Sequence, residues 1–229
     1  MSWLSIALFG VWPYIALTMF IIGNIWRWRT DQFGWTTRTS ELSEKKLLMW
    51  ASPIFHFGML AVLVGHLMGL VIPEDWMTSI GVSPEGYHIM AVSLGTVAGL
   101  VFTLGVVLLI MRRFILKTRF RLVTRPGDIV MYILLGLIII IGMVATFGYN
   151  VLGPGYDYRA SIGVWLRSIF MANPAISVMA AAPWIYQLHA ALALGLFAVW
   201  PFSRLVHMWS VPVGYLTRPP IVYRQAARV

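Results

Sequence analysis

The chain has 229 residues, of which 59% are hydrophobic and 11% charged, with a mean hydropathy of +0.80. That composition excludes soluble domains and describes a protein dissolved mostly in lipid. Cysteine is absent, which rules out disulfides, thiolate zinc sites and cysteine-held iron–sulfur clusters. The net charge of +9 does not point to nucleic acid, because in a membrane protein the placement of charges matters more than their sum.

The first element is the apolar run from Trp3 to Trp26. It has no basic stretch before it and no small-residue cleavage signal, so it reads as a retained helix over 4–26 rather than a signal peptide. Four more runs of spanning length follow at 47–72, 88–111, 128–149 and 183–206, bounded by charge, proline or glycine. Pro73-Glu74-Asp75 closes the second run, and Gly153-Pro154-Gly155 follows the fourth. The connection over 150–182 is too long for a turn. Ile162, Trp165, Leu166, Ile169 and Phe170 recur at helical spacing, which predicts an amphipathic helix over 160–171 in the outer interface. Tyr156, Tyr158 and Trp165 would then lie at headgroup depth. The expected fold is all-α: one integral membrane domain over 1–229, built as a five-helix transmembrane bundle.

Basic residues orient this bundle. Arg27, Arg29, Arg38, Lys45 and Lys46 lie in the first connection, and Arg112, Arg113, Lys117, Arg119, Arg121 and Arg125 in the third. Arg204, Arg218, Arg224 and Arg228 follow the fifth run, so fifteen of the seventeen basic residues share one side. Only Arg159 and Arg167 lie on the other. The positive-inside rule then predicts an outside N-terminus and a cytoplasmic C-terminus.

Four of the five histidines fall at membrane depth: His56 and His66 in the second span, His189 in the fifth and His207 at its end. Ionisable groups there are costly, and they mark function by default. The two helices run in opposite directions, so depth pairs His66 with His189 at the outer side and His56 with His207 at the inner side. The ten-residue and eighteen-residue spacings correspond to about 15 Å and about 27 Å of continuous helix, so unequal tilt has to absorb the difference. His189 and His207 share a helix face, whereas His56 and His66 differ by about 80°. Two histidine pairs suit two b-type haems, with both axial positions filled for electron transfer. Gly58, Gly65, Gly69 and Gly195 leave room for a planar ligand, or alternatively let helices approach closely.

Competing readings are weaker. A lone membrane histidine is as readily a hydrogen-bonded core residue, but four at matched depths are not. Zinc wants four ligands converging on one point, and the thirteen methionines serve better as flexible gap-fillers than as axial ligands. A proton-linked transporter would carry midplane carboxylates and interrupted helices. A purely structural anchor would not need placed histidines.

The sequence resembles the gamma subunit of respiratory nitrate reductase. The resemblance rests on Trp12-Pro-Tyr-Ile-Ala16, Phe55-His-x-Gly58 and Gly65-His-x-x-Gly69. Its most specific block is Pro201-Phe-Ser-Arg-Leu-Val-His207, which continues through Trp209-Ser-Val-Pro-Val213 to Tyr215-Leu-Thr-Arg218. The resemblance implies a di-haem b quinol dehydrogenase, with His66 and His189 on the outer haem iron and His56 and His207 on the inner. It implies quinol oxidation (menaquinol or ubiquinol) near the outer haem, with protons released outside. Electrons would reach an iron–sulfur beta subunit and a molybdenum catalytic alpha subunit on the cytoplasmic face. The related anchors of heterodisulfide-reductase-like or sulfite-reducing complexes share the architecture and are the alternative.

One position departs from the family. Its quinol-contacting lysine is missing from Glu85-Gly-Tyr-His88, leaving Tyr87 or His88 to meet the quinol oxygen, with Gly65 and Gly69 lining the pocket. Arg112, Arg113 and Arg204 are candidate haem-propionate contacts, since a guanidinium fork matches a carboxylate. Charge for topology is the plainer role for most of these arginines. The third connection and the tail after Tyr215 are the expected docking surface for the cytoplasmic partner.

Overall fold

Proline and glycine punctuate the chain where the apolar runs stop. In the computed structural model, which describes residues 2–36, 45–116 and 124–210 together with Thr217 and Pro219, every element is helical. Five helices are long and apolar enough to cross a membrane: Trp3–Thr30, Lys46–Val71, Pro84–Ile115, Pro126–Tyr149 and Trp184–Phe202. Pro84 and Pro126 start their helices at positions where a missing N–H costs nothing. Ser83 caps the third span by accepting from Gly86 N at 3.1 Å. Arg38, residues 117–123 and the tail beyond Ser210 (Thr217 and Pro219 apart) lie outside the described residues, and with them most of the expected docking surface.

The spans form two groups. The second and third make a tight hairpin, and the fifth packs between the first and fourth. Glycines permit the hairpin: a Cβ on Gly58 would stand 2.6 Å from Phe102 N, and one on Gly105 only 2.5 Å from Phe55 Cα. Gly58 therefore serves helix packing, and the planar-ligand role expected of it falls away. Phe102, Val106 and Ile139 join the third span to the fourth. The second and fifth spans, which carry the four histidines, are not close-packed against each other, so a slot runs between the groups.

A cap closes the end that carries few basic residues, called the outer end after the orientation expected from the charge pattern. Its first turn, Arg159–Gly163, is π-helical and leads into the α-helix Val164–Phe170. The apolar face expected to lie in the interface is turned into protein. Trp165 is 2% exposed and donates from Nε1 to the Phe9 carbonyl at 2.9 Å, and Tyr14 Oη donates to Ile169 O at 3.0 Å. Arg167 Nη1 donates to Leu70 O at 2.8 Å, which ties the cap to the end of the second span. The inner end is tied by charge instead. Arg27 donates from Nη1 to the carbonyls of Pro201 (2.5 Å) and Ser203 (2.9 Å), joining the first span to the fifth.

Candidate functional site: two histidine pairs and an outer cleft

The structure brings the histidines together in twos across the slot. His66 and His189 have ring centroids 6.1 Å apart with planes 22° from parallel. His56 and His207 are 6.2 Å apart with planes at 82°. A metal about 2.0 Å from a nitrogen of each of two facing imidazoles sets the centroids roughly 6.4 Å apart. Both pairs therefore have the separation of two axial ligands on one metal. No group of three or more His, Asp or Glu that could hold a metal ion occurs among the described residues. Each pair thus offers two imidazole nitrogens and no further His, Asp or Glu beside them among the described residues.

Backbone carbonyls fix the tautomers. His56 Nδ1 lies 2.7 Å from Ser52 O and 3.3 Å from Ser52 Oγ. His66 Nδ1 lies 2.8 Å from Val62 O, and His207 Nδ1 lies 2.6 Å from Arg204 O. A carbonyl only accepts, so in each case Nδ1 carries the proton and Nε2 keeps its lone pair for a metal. His189 differs: its Nδ1 is buried without a hydrogen bond, although the Ile138 carbonyl lies near enough to act on the ring. A neutral imidazole is the form that ligates.

Small residues make space at the outer pair. A Cβ on Gly65 would meet nothing within 4 Å, whereas one on Gly142 would lie 2.8 Å from His189 Cε1. Gly65 borders open space beside His66, and Gly142 gives the His189 ring its seat. Gly69 has another role. Its missing side chain admits Tyr158, whose Oη would stand 2.6 Å from a Cβ there. Gly195 is nearly open, with only Leu134 Cδ2 at 3.8 Å.

The eighteen-residue interval between His189 and His207 is not continuous helix. The α-helix ends at Val199, a 3-10 turn covers Trp200–Phe202, Ser203 is extended, and a second 3-10 segment over Arg204–Ser210 carries His207. This break, rather than unequal tilt alone, removes the mismatch in axial rise. Asp128 holds the segment in place, accepting from Arg204 N at 3.0 Å and pairing with Arg204 Nη2 at 2.8 Å. Of the arginines considered for propionates, Arg204 is thus committed to Asp128, although its Nε is buried without a partner. Arg113 Nε donates to Thr124 Oγ1 at 3.0 Å, and Arg112 is buried.

Tyr87 and His88 line a cleft of about 440 Å³ at the outer end, with Glu74, Glu85, Asp157, Tyr158 and Arg159. That volume falls in the range of about 300–1,000 Å³ common for small-molecule sites. Gly65 and Gly69 are not among its walls, but Tyr158 links the cleft to Gly69: it lies over Gly69, one turn past His66, and borders the cleft. Sequence reasoning missed Gly142, Asp128, Tyr158 and Arg159. One signal was available for Arg159, as one of only two basic residues on the charge-poor side.

Five spans enclosing two facing histidine pairs define a multi-pass membrane protein. The nitrate reductase gamma subunit family matches residues 5–226, and the chain belongs to that family. It is 44% identical over 218 residues to the nitrate reductase gamma chain of Bacillus subtilis, covering 95% of this chain and 97% of that one. It is 33% identical over 219 residues to the respiratory nitrate reductase 1 gamma chain of Escherichia coli, covering 95% and 96%. It is also 49% identical over 215 residues to the nitrate reductase-like protein NarX of Mycobacterium tuberculosis. That match takes in 93% of this chain and spans about a third (32%) of NarX. The chain is a multi-pass protein of the cell membrane.

Proposed function

We propose that the chain is the di-haem cytochrome b subunit of a respiratory nitrate reductase, oxidising quinol at the outer side and delivering electrons at the inner side. The supporting observation is the two pairs of facing imidazoles, 6.1 and 6.2 Å apart, across a slot between two spans that are not close-packed against each other. His66 with His189 would hold the outer haem and His56 with His207 the inner. When bound, haem would supply a reversible one-electron carrier at each pair.

The chain's own residues do the rest. Val62, Ser52 and Arg204 carbonyls orient three of the four ligands and raise their basicity. Tyr87 and His88 face the substrate in the outer cleft, where His88 takes a quinol proton towards the outside. Arg204, whose Nε has no partner, is the propionate contact best placed beside the inner pair. The N-terminus is outside and the C-terminus cytoplasmic, where an iron–sulfur beta subunit and, beyond it, a molybdenum alpha subunit receive the electrons. Moving one charge against the membrane potential is worth about 2.3 kcal/mol per 100 mV, so protons released outside and electrons drawn inside conserve energy.

A reduced-minus-oxidised absorption spectrum of the purified, haem-supplied protein tests this. Two b-type components, both reducible by a quinol, are expected. A folded preparation with no Soret or alpha band would sink the reading.

A further inference from the structure

Two basic residues break the charge asymmetry at the outer end, and both turn into protein. Arg167 spends its guanidinium on the Leu70 carbonyl. Arg159 has no such partner. It is 5% exposed, and its Nε and Nη2 are buried without a hydrogen bond. No carboxylate forms an ion pair with it among the described residues. Its guanidinium carbon lies over the Tyr87 ring, 3.9 Å from the centroid, a cation–π contact that positions the fork. A buried guanidinium with idle donors is costly, and such groups are retained where an acceptor arrives.

The surroundings indicate what that acceptor is. Arg159 lines the cleft with Tyr87, His88 and Tyr158. Asp157, its nearest acidic neighbour in sequence, uses Oδ1 to accept from the Arg159 backbone N at 3.0 Å rather than to meet the guanidinium. Burial, and then the neighbouring Tyr87, push the Tyr158 hydroxyl up, so it stays protonated and brings no negative charge. Glu74, Glu85 and Asp157 also border the cleft, but among the described residues none of them forms an ion pair with Arg159, so the guanidinium is left without a contacting anion.

Resting on the reading of this cleft as the quinol site, we infer that Arg159 is a catalytic residue whose free N–H groups hold the quinol oxygen as it loses its proton. The O–H bond breaks and its proton passes to a ring nitrogen of His88. The electron pair stays on the oxygen, which accepts from the guanidinium. Arginine cannot take the proton itself, so the two roles fall to two residues. The resulting quinolate is more easily oxidised than the neutral quinol. Arg159 thus supplies the positive charge that the missing lysine would have brought, from the cap instead of the third span.

The test uses a redox-inert phenol, 2-decyl-4-nitrophenol, and its methyl ether. Both are titrated calorimetrically into the purified holoprotein at mildly alkaline pH, where only the phenol is anionic. Charge-assisted hydrogen bonds predict that the wild type favours the phenolate about tenfold to a hundredfold. Arg159→Gln should bring the two affinities together while keeping both b-type spectral components, and Arg159→Lys should restore part of the preference. Equal binding of both probes by the wild type overturns the inference, as does a full preference surviving in Arg159→Gln. Loss of the haem bands in both variants would show that Arg159 is structural, which also overturns it. The cleft itself is tested separately by Ile89→Trp, which fills it. Undiminished quinol reduction in that variant would sink the cleft assignment and leave the haem assignment standing.

Discussion

At the outer pair, His66 and His189 stand on α-helix, and their rings are nearly parallel. Packing holds them: Gly142 seats the His189 ring, and the cap ties the end of the second span through Arg167. At the inner pair, His207 lies past a helix break, and the rings are nearly perpendicular. Charge holds it: Asp128 fixes Arg204, and the Arg204 carbonyl fixes His207. The separation is the same at both ends, so a common ligand geometry is met by two kinds of support. Where the helix continues, sterics suffice. Where it breaks, an ion pair replaces the lost i−4 ladder.

Removing a ligand tests the pairing most directly. His66→Ala or His189→Ala should abolish one b-type component and with it quinol-driven reduction, leaving the other component reducible by dithionite. His56→Ala or His207→Ala should abolish the other component while quinol still reduces the one that remains. If a single substitution removed both or neither, the assignment of ligands to two separate sites would fall.

Asp128→Asn comes next. It leaves the largely buried Arg204 guanidinium without its countercharge, a change that costs about 3–5 kcal/mol for buried pairs. Thermal unfolding should begin several degrees lower, and a redox titration should show the inner potential moving while the outer holds. Gly142→Val reverses the pattern, since its side chain meets the His189 ring, and should lower the occupancy or shift the potential of the outer component alone. Ser52→Ala should do least. The Ser52 carbonyl remains as acceptor for His56, and losing the longer 3.3 Å hydroxyl contact is worth at most about 1 kcal/mol.

The five spans were legible because length and apolarity suffice to define them, and the histidine pairing because antiparallel helices convert sequence order into depth. What sequence could not show has a common physical cause. Gly58 and Gly142 look alike in a list of small residues, but one admits a backbone and the other an imidazole, and only the helix rotation decides which. The axial mismatch between the two histidine spacings came from taking 183–206 as one helix. Pro201 and Ser203 in the densest family block already marked the break. Asp128 begins the fourth run, and nothing local marks its partner, which is 76 residues away. The amphipathic pattern over 162–170 gave the right helix but could not say whether lipid or protein covers its apolar face.

The slot between the two groups of spans has a mechanical consequence. The bundle is built like a hinged book, with the third and fourth spans as its spine and the histidines on facing pages. The cap is a clasp at the edge beside His66 and His189. The gap at each pair is therefore set from behind, along the spine, where a Cβ on Gly99 would strike the Met143 sulfur and one on Gly95 would touch Thr146 Cγ2 at 3.6 Å. Widening the spine at Gly99 would open both pages together.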